Sequence, residues 1–286
     1  MLDQCEYRYD NGEWYESEEI LRISRKFREY LGFEMYPPQP YAIKDKPAIH
    51  TLSLRFVINS EISVKGASIA LEDADKAEII FNSQHVENII TGYFTDESIQ
   101  TISLPEIKEG ENVLEIRYPF GEKTSVEWCY LLGDFGVNVV GCEKTIVKKQ
   151  ERLGFGDVVS QKLPFYGANI DYSIDVELDE DGVIEIEASS YRGTLIAVVL
   201  DGVRKGRIVL PPYRLKIEDV KRGRHTITLT LFGNRNNSFG ALHLTKEDEH
   251  WYGPGTWRTE GDNWCYEYKT KAFGILKSPI IRIYSK

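Results

Sequence analysis

The chain has 286 residues, of which 42% are hydrophobic and 12% aromatic, and its formal net charge is −10. This length allows two domains that each bury a core, and the hydrophobic fraction argues against disorder. An acidic surface repels phosphate backbones and anionic lipids, so we expect neither nucleic acid nor a membrane as a partner. No apolar stretch reaches the roughly 18 residues that span a bilayer, and residues 1–6 lack a signal-peptide pattern. We therefore expect a cytoplasmic protein, or a piece of a longer exported one.

Residues 1–46 differ from the rest of the chain and are predicted to form a docking segment. Asn11-Gly12 has the sequence of a type I′ turn and predicts a short hairpin. Ser17 is the predicted N-cap of a helix that ends at Gly32. The apolar face of this helix is predicted from helical spacing to comprise Ile20, Ile23, Phe27, Tyr30 and Leu31. The proline-rich residues 37–40 then make a stiff connection.

The chain from Leu52 onward has the period of two that is typical of β-strands. Leu52, Leu54, Phe56 and Ile58 alternate with other side chains, and further short β-rich runs follow, separated by Gly, Asp and Asn. Residues 179–182 form a predicted turn between two of these runs. Many short strands at this spacing indicate sandwiches or barrels rather than βαβ units. The predicted fold class is all-β, with one sandwich in residues 47–150 and a second in residues 151–286.

Both halves contain the same series of local signals. In each half a strand ends in a polar turn, a Leu-Pro pair follows, and a Lys-x-Gly turn starts the next strand; the pairs are Leu104-Pro105 and Leu210-Pro211. This series resembles the galactose-binding-like β-sandwich, the sugar-binding jelly roll of large bacterial glycoside hydrolases of family 2 and of the α-L-rhamnosidase type. The resemblance implies two consecutive jelly rolls that form the accessory C-terminal portion of a glycosidase-like protein. The barrel that carries the catalytic acids of those enzymes has no counterpart in this sequence, so their reaction does not carry over.

Residues 234–268 contain three of the five tryptophans, interleaved with polar side chains. Flat aromatic rings stack on the apolar faces of sugars, while Asn, Arg and acidic groups pair with hydroxyls. This combination predicts a carbohydrate site with the candidate residues Trp257, Trp251, Tyr252, Arg235, Asn236, Arg258 and Glu260. The alternative is that the large aromatics only anchor a long connection to the sandwich. Trp257 has small or polar neighbours and is the first stacking candidate, whereas Trp264 is expected to be buried in a strand.

Other clusters point less clearly to chemistry. His243, Glu247, Glu249 and His250 are the densest group of metal-ligand types, but their spacing fits no zinc arrangement, and we interpret them as a solvated loop. No metal or other cofactor is expected, and nothing in the sequence supports a structural calcium ion. A glycosidase needs two carboxylates across the sugar, and the sequence offers acids for that role without selecting a pair, among them Glu127, Asp134, Glu260 and Asp262.

The sequence thus predicts a non-catalytic, carbohydrate-associated β-sandwich module. Its expected partners are a carbohydrate or glycan and a glycosidase catalytic domain. Two alternatives stay open: a purely structural or interaction domain that docks on a catalytic domain, and a glycosidase with a site between the two domains.

Overall fold

A computed structural model describes residues 1–33, 47–124, 126–246 and 253–285. The chain divides into two compact units, each built from two stretches of sequence. Unit 1 comprises Met1–Lys149 and Lys246–Glu267, and unit 2 comprises Gln150–Thr245 and Tyr268–Lys286. The predicted stiff connection at residues 37–40 lies outside the described residues, and the predicted domain boundaries stay predictions.

Unit 1 contains twelve strands and one helix within the described residues. They are β1 (Gln4–Tyr9), β2 (Tyr15–Glu19), α1 (Ile20–Leu31), β3 (His50–Ser60), β4 (Ser68–Leu71), β5 (Glu78–Phe81), β6 (Gln84–Val86), β7 (Ile90–Phe94), β8 (Asp96–Ser103), β9 (Gly110–Phe120), β10 (Tyr130–Leu132), β11 (Gly136–Val140) and β12 (Glu143–Val147). One sheet has the order β11-β12-β3-β9-β5-β6, with β1 also paired to β3 and β2 paired to β1. A second sheet has the order β10-β4-β8-β7. All pairs are antiparallel except β12 with β3.

The central pair of the larger sheet explains why this region folds as predicted. Leu52, Leu54, Phe56 and Ile58 of β3 are all buried, as the period of two indicated. Strand β9 lies beside β3 over its full length and buries the alternate residues Leu114, Ile116, Tyr118 and Phe120. Two strands that each bury one face against the same core fix their register, because a slip of one residue would expose both apolar rows.

The predicted helix forms as α1, but its start differs from the prediction. Ser17 lies in strand β2, and the N-cap is Glu19, whose carboxylate accepts hydrogen bonds from the backbone N–H groups of Leu21 and Arg22, each at 3.1 Å. A carboxylate at this position accepts hydrogen bonds from two of the N–H groups that have no partner within the helix. Gly32 ends the helix in the left-handed conformation, with φ of 69°, as predicted.

Two further details of residues 1–33 were predicted wrongly. The hairpin of β1 and β2 is present, but Asp10 takes the positive φ, at 50°, and neither Asn11 nor Gly12 does, so the turn is not type I′. Tyr30 was assigned to the apolar face of α1, yet 76% of its surface is exposed. The buried face consists of Ile20, Ile23 and Phe27 with Ser24.

Unit 2 is a smaller assembly of antiparallel sheets. Its elements are β13 (Ile170–Leu178), β14 (Gly182–Glu187), β15 (Tyr191–Arg192), β16 (Ile196–Leu200), β17 (Val203–Ile208), β18 (Arg214–Val220), β19 (Gly223–Leu231), α2 (Asn236–Phe239), β20 (Gly274–Ile275) and β21 (Ile280–Ser285). The sheets have the orders β13-β19-β16-β17 and β18-β14-β21, and β15 pairs with β20. The core between them includes Ile184, Ile186, Val198, Ile227 and Leu229. The turn predicted at residues 179–182 connects β13 to β14.

The all-β fold class is therefore confirmed, with antiparallel sheets predominating in both units. Within the described ranges, neither helix has the length and hydrophobicity that crossing a bilayer requires.

Candidate functional site

The polar side of helix α1 carries charged residues at helical spacing. Glu18 directly precedes the N-cap, and Arg22, Arg25 and Lys26 follow within two turns. Residues three and four apart lie on the same side of a helix, so these four groups form one charged surface. The segment Gly253–Glu267 belongs to the same unit, and several of its residues bond to this surface; we call it the returning segment.

Arg22 is the central anchor of the returning segment. Its Nη1 donates a hydrogen bond of 3.1 Å to the carbonyl oxygen of Thr259. Its guanidinium carbon also lies 4.0 Å from the centroid of the Trp264 ring. This distance is within the range of cation–π attraction. One arginine therefore holds both the backbone and an indole of the segment, and the neighbouring Arg25 adds an ion pair with Glu260.

Glu18 fixes the far end of the returning segment. The Tyr266 hydroxyl donates to Glu18 Oε1 at 3.1 Å, and Lys26 Nζ donates to Glu18 Oε2 at 2.6 Å. Burial acts to raise the pKa of Glu18, but the bonds from Lys26, the Glu19 N–H and Tyr266 outweigh it and lower that pKa below its ordinary value. Glu18 is therefore held as a carboxylate that accepts from three donors.

The aromatic rings of the segment differ in their settings. Trp264 contacts Tyr266 edge to face, with ring centroids 4.4 Å apart, in addition to Arg22. It is half-buried and follows the 3₁₀ turn Gly261–Asn263 rather than lying inside a strand, so the expectation of a buried strand residue was wrong. Trp257 lies in another 3₁₀ turn, Pro254–Arg258, and is also half-buried. The Thr256 hydroxyl accepts from the Gly253 N–H at 3.1 Å and closes this turn.

The structure distributes the predicted site residues between the two units. Trp257, Arg258 and Glu260 lie together on the returning segment of unit 1, with Arg258 half-buried and Glu260 exposed. Arg235 and Asn236 belong to unit 2, where both are exposed at the start of the short helix α2. The other two candidates, Trp251 and Tyr252, are outside the described residues.

Sequence reasoning missed the residues that hold the segment in place. Glu18 and Arg22 were not among the predicted site residues, yet each contacts the returning segment across more than two hundred residues of sequence. The only signal was the concentration of charge on one side of α1. That signal does not identify a partner, because solvated helix faces carry the same pattern.

The other clusters give no sign of catalysis or metal binding where the structure describes them. Asp134 is ion-paired with Lys149, and Glu260 with Arg25. His243 is buried, with its ring 5.1 Å from that of Tyr268, so its assignment to a solvated loop was wrong; Glu247, Glu249 and His250 lie outside the described residues. Among the described residues no three His, Cys, Asp or Glu side chains come together as metal ligands.

No family model and no curated protein matches this chain. Among solved structures, a rhamnosidase from Novosphingobium sp. PP1Y is similar with a TM-score of 0.33 and 12% identity, over 83% of this chain and 23% of that one. A β-D-mannosidase from Dictyoglomus thermophilum has a TM-score of 0.27 and 14% identity, over 82% and 31%. An anti-sigma factor domain-containing protein from Clostridium clariflavum has a TM-score of 0.25 and 9% identity, over 81% and 90%. The chain thus spans less than a third of the two enzymes, and at these TM-scores the likeness carries no argument about function.

Proposed function

We propose that the chain is a non-catalytic, carbohydrate-associated module that presents Trp257 to a glycan. The two sandwiches would then be galactose-binding-like jelly rolls, and the whole chain an accessory portion of a glycosidase-like protein. Arg258 and Glu260, which flank Trp257 on the returning segment, would pair with hydroxyls of the bound sugar.

The observation that carries this proposal is the way in which the returning segment is held. Arg22 binds Thr259 and Trp264, and Glu18 binds Tyr266, so these anchors all follow Trp257 in sequence. Trp257 itself lies in a closed 3₁₀ turn and keeps part of its surface exposed. A pre-ordered, partly exposed indole is what sugar stacking requires, because little conformational entropy is then lost on binding.

A second function, docking on a partner protein, is favoured by a different surface. Strand β7 lies at the edge of its sheet, and its residues Ile90 and Tyr93 are 39% and 60% exposed. Exposed apolar side chains on an unpaired sheet edge are typical of strands that contact another chain. In this role the partner would be a glycosidase catalytic domain. The third possibility, a glycosidase, predicts turnover of aryl glycosides by the chain itself.

The test compares Trp257→Ala with Trp264→Ala, each measured for glycan binding and for its denaturant midpoint. Removal of a stacking Trp257 should weaken binding by about 1 to 3 kcal/mol with little change in stability. Removal of Trp264 should mainly destabilise the fold, because the cation–π contact with Arg22 is lost, at a cost of about 0.5 to 2 kcal/mol.

Two outcomes would count against the proposal. If Trp257→Ala loses stability but keeps its affinity after correction for the folded fraction, the segment is packing alone. If the chain turns over aryl glycosides and Glu127→Ala abolishes that turnover, the module is an enzyme.

A further inference from the structure

The outward face of the larger sheet in unit 1 carries a compact group of charged residues. In the register of β1, β3 and β9, Arg8 lies opposite Ser53, and Ser53 lies opposite Arg117. Two residues after Ser53 on β3, Arg55 lies opposite Glu115 of β9. Directly opposed residues on neighbouring strands share a face of the sheet. These five side chains therefore meet on one surface, and this surface is separate from the returning segment.

Three guanidinium groups converge on a single carboxylate at this surface. Glu115 lies 3.7 Å from Arg8, 3.6 Å from Arg55 and 2.7 Å from Arg117. Arg55 and Arg117 have second carboxylates, Glu6 at 3.4 Å and Glu78 at 3.1 Å. The Arg8–Glu115 distance is too long for a hydrogen bond. Arg8 is thus the guanidinium whose charge is least compensated.

Trp14 covers this group of arginines. The guanidinium carbons of Arg55 and Arg8 lie 3.6 Å and 4.7 Å from the centroid of its indole ring. Such contacts are attractive because the face of an indole is electron-rich. Trp14 belongs to the connection between β1 and β2, in which the preceding residues Asn11, Gly12 and Glu13 are exposed. Trp14 is therefore held over the arginines at the end of an exposed connection.

Two buried polar atoms on this face of the sheet lack hydrogen-bond partners among the described residues. They are Nε of Arg8 and the hydroxyl oxygen of Ser53. Ser53 is 99% buried, having a relative exposure of 1%. Buried donors without partners are rare in folded proteins, since each lost its bond to water on folding. Because Arg8 and Ser53 are directly opposed on β1 and β3, both donors belong to the same place on the sheet.

We propose that this surface binds a small molecule through a carboxylate group. One carboxylate oxygen accepts from the Arg8 Nε–H and the other from the Ser53 hydroxyl, and Trp14 shifts to admit the ligand and then packs over it. A carboxylate matches this pair, because it has two acceptor oxygens for the two donors and a negative charge for the guanidinium of Arg8. An acidic sugar and a simple organic acid share this chemistry.

The experiment is a calorimetric titration of the full chain with glucuronate, acetate, glucose and inorganic phosphate. We expect saturable binding of the two carboxylates, and glucose, which is the matched sugar without the charge, should not inhibit it. Tighter binding of glucuronate than of acetate would identify an acidic sugar as the ligand, and equal binding would identify simple carboxylates. Phosphate binding as tight as that of glucuronate would overturn the carboxylate assignment.

Three variants locate the binding. Arg8→Gln should weaken carboxylate binding about tenfold or more, and Ser53→Ala several-fold, because each removes one charge-assisted hydrogen bond. Ser53→Ala should fold at least as well as the parent chain, since it removes an unpaired buried hydroxyl. Arg207→Gln is the matched control, because Arg207 is an exposed arginine of unit 2 and the change in net charge is the same.

The proposal fails if no carboxylate binds saturably at millimolar concentration, or if Arg207→Gln weakens binding as much as Arg8→Gln. It also fails if a crystal structure grown with glucuronate shows only a water between Arg8 and Ser53. The carbohydrate proposal for Trp257 is tested independently, because Trp257→Ala should leave carboxylate binding at Arg8 unchanged.

Discussion

The indole Nε1 of Trp128 donates a hydrogen bond of 2.6 Å to Oε1 of Glu19, the oxygen that also accepts from the Leu21 N–H at the start of α1. Glu19 is 1% exposed, so this buried carboxylate connects the start of α1 to Trp128. A single side chain thus combines a helix cap with a long-range tertiary contact.

We expect Glu19→Ala to destabilise the chain by about 2 to 4 kcal/mol, because the N-cap is lost and Trp128 Nε1 is left without this acceptor. Denaturant unfolding measures the effect. Glu16→Ala is the matched control, since Glu16 is an exposed acid of the adjacent strand β2. Equal midpoints for the two variants would mean that the hydrogen bonds of Glu19 contribute nothing.

Arg22→Ala should release the returning segment, because both the bond to Thr259 and the contact with Trp264 disappear. The measurement is limited trypsin digestion followed by mass spectrometry, in which cleavage after Arg258 should accelerate. Arg152→Ala, at an exposed position of unit 2, should leave the cleavage rate unchanged. Arg22→Lys should give an intermediate rate, since lysine keeps the charge but loses the planar stacking.

Part of the stability of unit 1 should depend on pH through the carboxyl group of Glu18. Its folded pKa is lowered, so its contribution is present above about pH 4.3, the ordinary value for glutamate, and is lost as the pH falls through the folded pKa. The gap in thermal midpoint between the parent chain and Glu18→Gln should therefore be largest near neutral pH and should close in acid. A gap that does not change with pH would show that Glu18 acts by packing alone.

His225 should titrate above its ordinary pKa in the folded chain. Its bond to Asp201, 2.6 Å from Nδ1, and its bond to the Lys221 carbonyl raise the pKa, so this stabilisation is present below about pH 6.5 and is lost as the pH rises through the raised value. Asp201→Asn should bring the pKa back toward 6.5, as followed by NMR of the imidazole resonance, which His225→Gln would assign. An unchanged titration in Asp201→Asn would exclude Asp201 as the cause.

Local patterns were enough to predict the parts of the fold that depend on neighbours in sequence. The buried row of β3, the end of α1 at Gly32 and the turn before β14 all follow from residue types at fixed spacing. The helix start was wrong because Ser17 has a preferred N-cap side chain, whereas the observed cap is Glu19, which also accepts a hydrogen bond from Trp128. That bond joins residues 109 positions apart, which no local pattern contains.

The sequence was enough to single out the segment that carries the aromatic candidates, but not to predict how that segment is attached to α1. The concentration of aromatics at residues 251–268 pointed to an unusual segment, and Trp257, Arg258 and Glu260 do lie together on it. Its attachment to α1 depends on two charged side chains of a helix whose pattern is that of an ordinary solvated surface. Arg235 and Asn236 were grouped with the segment because they are near in sequence, but they belong to the other unit.

Because unit 1 is built from two stretches of sequence, it cannot be completed during translation until most of unit 2 has been made. Helix α1 is translated early, whereas Tyr266, which bonds to Glu18, is 248 residues further along. At about 5 to 20 residues per second the nascent chain therefore carries an incomplete unit 1 for roughly 12 to 50 s. During that interval most of unit 2 is made. The charged surface of α1 therefore stays without its contacts to Thr259, Trp264 and Tyr266 until the last part of the chain has been translated.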